Sequence, residues 1–178
     1  EPYVVTDTFV IDEWLSHTGI HESPNNIVSD GNPPQTMHLG DRWKVGYDET
    51  RYFEADVIVP DYLAGKKVYL SIDFGGEALV RINGEIVGAV SSRENSGWVH
   101  RTEILFKDKF KGGEKLSIQV EGAVDCASFC NRAIAGEKQL EYTLKKAELV
   151  AVNEKAESYW YDISTAHEVY ECCEDEYI

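Results

Sequence analysis

The chain has 178 residues, 43% of them hydrophobic, and a formal charge of −15 from 32 acidic and 17 basic side chains. That length supports one domain with a core needing neither disulfide nor metal, and falls short of two ordinary domains. The acidic field and the lack of a basic stripe exclude duplex nucleic acid as a partner, and no apolar run approaches the ~18–20 residues that span a membrane.

No leader peptide is legible at the start, and the first residue is Glu1, so the expectation is a segment of a longer polypeptide. Residues 1–49 read as irregular structure packed on a later sandwich. Residues 8–15 suit a short helix or strand, anchored by Phe9, Ile11, Trp14 and Leu15. Asn, Pro, Gly and Ser crowd residues 21–46, and Pro24, Pro33 and Pro34 forbid a long regular element there. Trp43 in such a loop is more often a structural plug than a sugar platform.

Regular structure is expected from residue 50. Tyr52, Glu54, Asp56 and Ile58 alternate with Phe53, Ala55, Val57 and Val59, which predicts a strand over 50–59 closed by Pro60. Three strands are expected at 67–74, 77–83 and 85–90, with Gly75-Gly76 separating the first from the second. Asn83-Gly84 suits the positive φ angles of a two-residue hairpin turn. A polar loop over 91–97 precedes a strand over 98–106, a turn over 110–114 and a strand over 115–122. Residues 123–138 read as a connection and 140–152 as one long strand. Tyr159, Trp160 and Tyr161 form an aromatic triplet, and Ser164 or Thr165 would cap a short helix over 165–175. This pattern predicts an all-β fold: an antiparallel β-sandwich or jelly roll spanning 50–163, with 164–178 opening a helical linker to a downstream domain.

Several stretches of the chain resemble the N-terminal sandwiches of glycoside hydrolases. The residues are the strand Tyr52-Phe53-Glu54-Ala55-Asp56-Val57-Ile58-Val59-Pro60, the hairpin Val80-Arg81-Ile82-Asn83-Gly84-Glu85, and the strand start Gly113-Glu114-Lys115-Leu116. They resemble a galactose-binding-like jelly roll. Two further stretches, Lys146-Ala147-Glu148-Leu149-Val150-Ala151-Val152-Asn153 and Ser158-Tyr159-Trp160-Tyr161-Asp162-Ile163, resemble glycoside hydrolase family 38 α-mannosidases, as does Gly76-Glu77-Ala78-Leu79-Val80. The resemblance implies a non-catalytic accessory domain that packs on and stabilises the catalytic domain of the same polypeptide. It also implies that zinc, held by His and Asp, and the Asp nucleophile belong to that later domain. The loop after the hairpin departs from the family's Gly-x-Asp-x-x-His pattern, reading Gly88-Ala89-Val90-Ser91-Ser92-Arg93-Glu94-Asn95.

The residues themselves offer no complete catalytic set. None of His17, His21, His38, His100 and His167 begins a His-x-Asp or His-Glu-x-x-His motif. Asp73 and Glu77 flank the Gly-Gly break, but exposed turn carboxylates are the commoner outcome there. Cys126, Cys130, Cys172 and Cys173 fit zinc-knuckle spacings poorly. Reduced thiols and a cytoplasmic location are expected, with a Cys126–Cys130 disulfide as the outcome of export. The acidic residues at 171–176 read as a solvated helix end, with no calcium-loop spacing. No cofactor is expected within these residues.

Two surfaces remain as candidates. Trp98, with Arg93 and Asn95 in the preceding loop, has the residue types of a sugar site, a stacking ring beside polar hydroxyl partners. Tyr159, Trp160 and Tyr161 suit docking against a neighbouring domain. The alternative to an accessory domain is therefore an autonomous carbohydrate-binding module, or the equivalent sandwich of another glycoside hydrolase family.

Overall fold

The structure, a computed structural model, describes residues 4–23, 26–46, 49–92, 101–123 and 139–172. Among these, thirteen strands and one α-helix occur in order. They are β1 (Val5–Val10), β2 (Trp14–Ser23), β3 (Asn26–Ser29), β4 (Gln35–Met37), β5 (Arg42–Gly46), β6 (Thr50–Ile58), β7 (Lys67–Asp73), β8 (Glu77–Ile82) and β9 (Glu85–Ser91). Then come β10 (Glu103–Leu105), β11 (Lys115–Ala123), β12 (Gln139–Thr143), β13 (Lys146–Val152) and α1 (Glu154–Cys172). A 3-10 turn over Asp61–Leu63 links β6 to β7.

The strands pair antiparallel. One sheet runs β1-β13-β7-β10, a larger one runs β3-β2-β6-β11-β8-β9 with β4 also on β2, and β12 pairs with β5. The all-β jelly-roll expectation holds. At the centre of the larger sheet, β11 sets Ile118 opposite Ala55 and Ile82, and Val120 opposite Phe53 and Val80. The period-2 pattern turns these residues to one face, where Phe53, Val80, Ile118 and Val120 lose all solvent exposure. They meet Leu70 and Ile72 of β7 and Leu149 of β13 from the smaller sheet, which are equally buried. Aromatic rings knit the centre. Trp14 lies edge-on to Phe74 at 5.1 Å between centroids, and Phe53 to Phe74 at 4.7 Å. Trp43 adds a third contact, 5.2 Å from Phe53, and its indole N–H donates to the Phe74 carbonyl at 2.8 Å.

The hairpin forms as its residues dictate. Asn83 and Gly84 take φ of 52° and 83° and join β8 to β9. The Gly75-Gly76 break does more than end one strand and start the next, for it carries the chain from the smaller sheet into the larger one. A Cβ on Gly76 would stand 2.6 Å from the Ala123 carbonyl oxygen, and one on Gly75 would stand 2.9 Å from the Tyr142 Cβ. Only glycine lets the backbones pass so closely.

Several expectations are corrected. The described part of residues 1–49 is not irregular, because β1 pairs with β13 and β2 with β6, so both sheets recruit the N-terminal segment. Its prolines misled because Pro33 and Pro34 lie in the β3–β4 connection, where no ladder hydrogen bond is required of them. Trp43 sits on β5, and it is the plug that its residue type suggested, 3% exposed. The expected strand over 140–152 is two strands in different sheets. They break at Leu144, whose N–H donates to the Asp41 carbonyl at 2.9 Å and whose carbonyl accepts from Gly40 N–H at 2.8 Å. The helix begins at Glu154, eleven residues before the expected start, so the aromatic triplet is helical. The strand predicted over 98–106 is described only from 101, and narrows to β10 with an isolated Ser91–Arg101 bridge before it.

Candidate domain-docking site

Helix α1 carries a run of exposed large hydrophobic residues, Tyr159, Trp160, Tyr161, Ile163, Val169 and Tyr170. It starts because Asn153 caps it: the side-chain oxygen accepts from the N–H groups of Lys155 at 3.1 Å and Ala156 at 3.2 Å. Glu154 and Glu157 occupy the first turn, where carboxylates suit the positive end of the helix dipole. Asn153 N–H donates to the Val4 carbonyl at 2.7 Å, so the cap is itself tied to the end of the β1–β13 ladder.

The first turn is fixed by charge rather than by packing. Glu157 is 7% exposed and lies on the outer face of β7, between Lys67 and Tyr69. One carboxylate oxygen accepts from Lys67 Nζ at 2.6 Å, the other from the Tyr69 hydroxyl at 2.5 Å. The hydrogen bond to Glu157 holds the Lys67 ammonium well above the usual lysine range. Burial first, and then the same carboxylate, push the Tyr69 phenol up. Lys109 also pairs with the first-turn Glu154 on the surface, and Lys67 lies over the Tyr69 ring at 5.3 Å.

Beyond the anchor the helix leaves the sandwich. From residue 158 to 172 every side chain except the half-buried Ser164 is exposed. Tyr159 is 68% exposed, Trp160 48% and Tyr161 58%, and Ile163, Val169 and Tyr170 are comparably open. The triplet expected to dock is thus brought to the surface of one helix, with none of its rings inserted in the sandwich. At about 100° per residue, Tyr159, Ile163, Ala166 and Tyr170 fall on one stripe, with Trp160 beside it. Glu157 and Ser164 face the other way, towards the sheet. That stripe therefore points away from its own domain, while Tyr161 lies on the side of Glu157 and Ser164 and is nonetheless exposed.

The expected sugar-site residues Trp98, Arg93 and Asn95 lie outside the described residues. So do Cys126, Cys130 and Cys173, while Cys172 is an exposed free thiol at the end of α1. Asp73 is not the exposed turn carboxylate expected, since it is 9% exposed at the end of β7, and Glu77 opens β8 half-buried. Asp73 accepts from Gly75 N–H at 2.9 Å and lies 3.6 Å from Lys145 Nζ. Among the described residues no group of three or more His, Cys, Asp and Glu side chains is placed to hold a metal, and no helix is long and apolar enough to cross a membrane.

A polar cleft of about 590 Å³ opens elsewhere, beside β2, β4 and β5, lined by Asp30, Asn32, Gln35, Glu49, Arg51 and Gln139 among others. Arg51 is half-buried there and donates to Ser16 Oγ at 2.7 Å, Thr18 Oγ1 at 3.1 Å and Gln35 Oε1 at 3.1 Å, all neutral acceptors. Burial lowers its pKa, with the Asp30 charge opposing. Sequence reasoning missed this cleft, because its partners come from segments 33 and 35 residues apart. It also missed Glu157, although Asn153 ahead of two first-turn glutamates is a legible cap signal.

Comparison with known proteins decides the family. The family model described as the α-mannosidase jelly roll domain matches residues 13–150. The chain belongs to the α-mannosidase jelly-roll domain family. Among solved structures, the jelly-roll domain resembles Faecalibacterium prausnitzii β-glucuronidase, with a TM-score of 0.51 and 12% identity. The similarity covers 84% of this chain and 32% of that one, so the chain spans about a third of its neighbour, and it supports the fold. No curated protein sequence matches the chain. The family match ends at residue 150, so α1 lies beyond it.

Proposed function

We propose that this jelly-roll domain is a non-catalytic accessory domain of a longer, α-mannosidase-like glycoside hydrolase, and that it packs on and stabilises the catalytic domain of the same polypeptide. Family membership supports the parent activity. The observation that carries the packing role is α1. Its first turn is clamped to β7 by a buried carboxylate, while its aromatic side chains are directed outward. A ring the size of Trp160 contributes about 1.5–3 kcal/mol when a neighbour covers it. In this reading the zinc and the nucleophile belong to the later domain, and this one supplies a rigid wall. Removing residues 1–152 from the longer polypeptide should leave it insoluble or inactive. Full activity and solubility after that removal would end the proposal.

A second reading, carbohydrate binding, is favoured by the Arg51 cleft. Its polar lining suits sugar hydroxyls. Titration with mannose, galactose and their oligosaccharides, followed by chemical shifts of the Arg51 and Gln35 side chains, tests it. Silence up to millimolar sugar would remove it.

A further inference from the structure

We propose that the Arg51 cleft takes an uncharged, hydroxyl-rich sugar ring and excludes the corresponding uronate, with Arg51 holding the cleft in shape rather than gripping an anion. The inference rests on the carbohydrate reading of that cleft, and it names the class of sugar the cleft selects.

A half-buried arginine whose acceptors are all neutral has the charge of an anion receptor, but its donors are already spent. Nε donates to Ser16 Oγ at 2.7 Å and Nη1 to Thr18 Oγ1 at 3.1 Å. Nη2 donates to Gln35 Oε1 at 3.1 Å and to Met37 Sδ at 3.9 Å. A guanidinium has five N–H groups, so one remains. Strong carboxylate recognition by arginine uses two in parallel. Arg51, on β6, therefore ties together β2 and β4, and it turns the Gln35 carbonyl oxygen to itself. The Gln35 amide N–H groups are left to donate into the cleft.

The other charges in the lining are committed in the same way. Arg42 and Lys44 both turn to Glu141, at 2.9 Å and 3.6 Å. Three carboxylates line the cleft, those of Asp30, Asp41 and Glu49. Asp30 accepts from the Asn32 backbone and side chain at 2.9 Å and 2.8 Å, Asp41 from His38 N–H at 2.8 Å, and Glu49 from Gly46 N–H at 2.8 Å. In number the three cations balance the three acids, so no net field draws an ion of either sign. The atoms left over decide the matter. An ionised carboxylate accepts about four hydrogen bonds, so each acid keeps lone pairs that need donors. Hydroxyl groups supply those donors, whereas a uronate brings a like charge and no proton at that end. Trp43, the aromatic side chain in this lining, is 3% exposed, so recognition rests on hydrogen bonds rather than on stacking.

The test titrates the intact chain with the methyl glycosides of mannose, glucose and galactose, and with the uronides that carry a carboxylate in place of the C6 hydroxymethyl group. Chemical shifts of the Arg51 and Gln35 side chains report binding. At least one neutral glycoside should bind at least ~10-fold more tightly than its uronide. Its affinity should be unchanged by added salt. Glu49→Gln with Asp30→Asn keeps an acceptor for Gly46 and for Asn32 while removing two charges, and it should shrink the discrimination severalfold. A uronide bound as tightly as its neutral counterpart, or more tightly, would overturn the inference and leave the carbohydrate reading standing. So would discrimination that the double variant leaves intact. Silence from both series would end the inference and the carbohydrate reading together.

Discussion

Glu157→Gln isolates the clamp that aims α1. The substitution keeps the side chain's shape and removes its charge. Glutamine retains one acceptor for Lys67 or Tyr69, and turns an amide N–H₂ donor towards the other donor. Both partners are shielded: the Glu157 side chain is 9% exposed and that of Lys67 is 27% exposed. Removing one member of a fully buried pair costs about 3–5 kcal/mol, and a lost hydrogen bond to a charged group about 1.5–3 kcal/mol. Lys67 can reach water once released, so the expected loss is about 2 kcal/mol, which raises the opening of α1 ~30-fold. Little else resists that opening, since few apolar contacts hold the helix and helices draw most of their stability from such packing. Hydrogen exchange read by mass spectrometry should show faster exchange across residues 157–172 and unchanged protection in β6 and β11. Pairing the change with Lys67→Met should give a less than additive loss, as expected for groups in direct contact. Unchanged exchange in α1, or full additivity, would refute the clamp.

Further outcomes can be checked by denaturation. Gly76→Ala should cost more than about 3 kcal/mol, because its Cβ would meet the Ala123 carbonyl at 2.6 Å, whereas Gly84→Ala finds open space and costs only its φ of 83°, about 1 kcal/mol; equal midpoints would contradict the crossing geometry. Trp14→Ala should cost about 3–5 kcal/mol by opening a cavity against Phe74, and Trp43→Phe about 1–2 kcal/mol through the unpaired Phe74 carbonyl; a fully stable Trp14→Ala variant would contradict the core. For pH, the Lys67 and Tyr69 values are raised on folding, so their contribution is whole below about pH 10 and is lost as pH climbs through the folded values. Asp7, Asp56 and Glu154 are held low, first by hydrogen bonds from Lys66, Lys115 and Lys109, so their contribution is present above ordinary carboxylate values and fades in acid. Helix exchange in Glu157→Gln should therefore differ from that of the unaltered chain at pH 7 and begin to converge with it only above about pH 10.

Whether a feature could be read from the residues alone depended on range. The Asn83-Gly84 hairpin, the strand over 50–59 and the β11 alternation are encoded within a few residues of themselves, because turn chemistry and a one-sided sheet impose local patterns. The jelly-roll resemblance lay in those same segments, while the α-mannosidase resemblance rested on residues 76–80 and on the stretches 146–153 and 158–163, and the family match over 13–150 bears out the family. The strands of the first 49 residues were obscured because much of their Asn, Pro and Gly falls in the short connections between them, as at residues 30–34 between β3 and β4, and local rules read the whole stretch as loop. The early start of α1 was hidden behind aromatic residues that score equally as strand.

The order of residues along the chain was enough to specify the class of fold, the hairpin and the Gly-Gly break, since alternation, positive φ and missing side chains are properties of neighbouring residues. Three-dimensional packing was needed to bring Glu157 to Lys67 and Tyr69 some ninety residues away, to ring Arg51 with neutral acceptors, and to turn the apolar stripe of α1 away from its own domain. Those pairings depend on which strands lie side by side, and side-chain chemistry alone does not specify strand order.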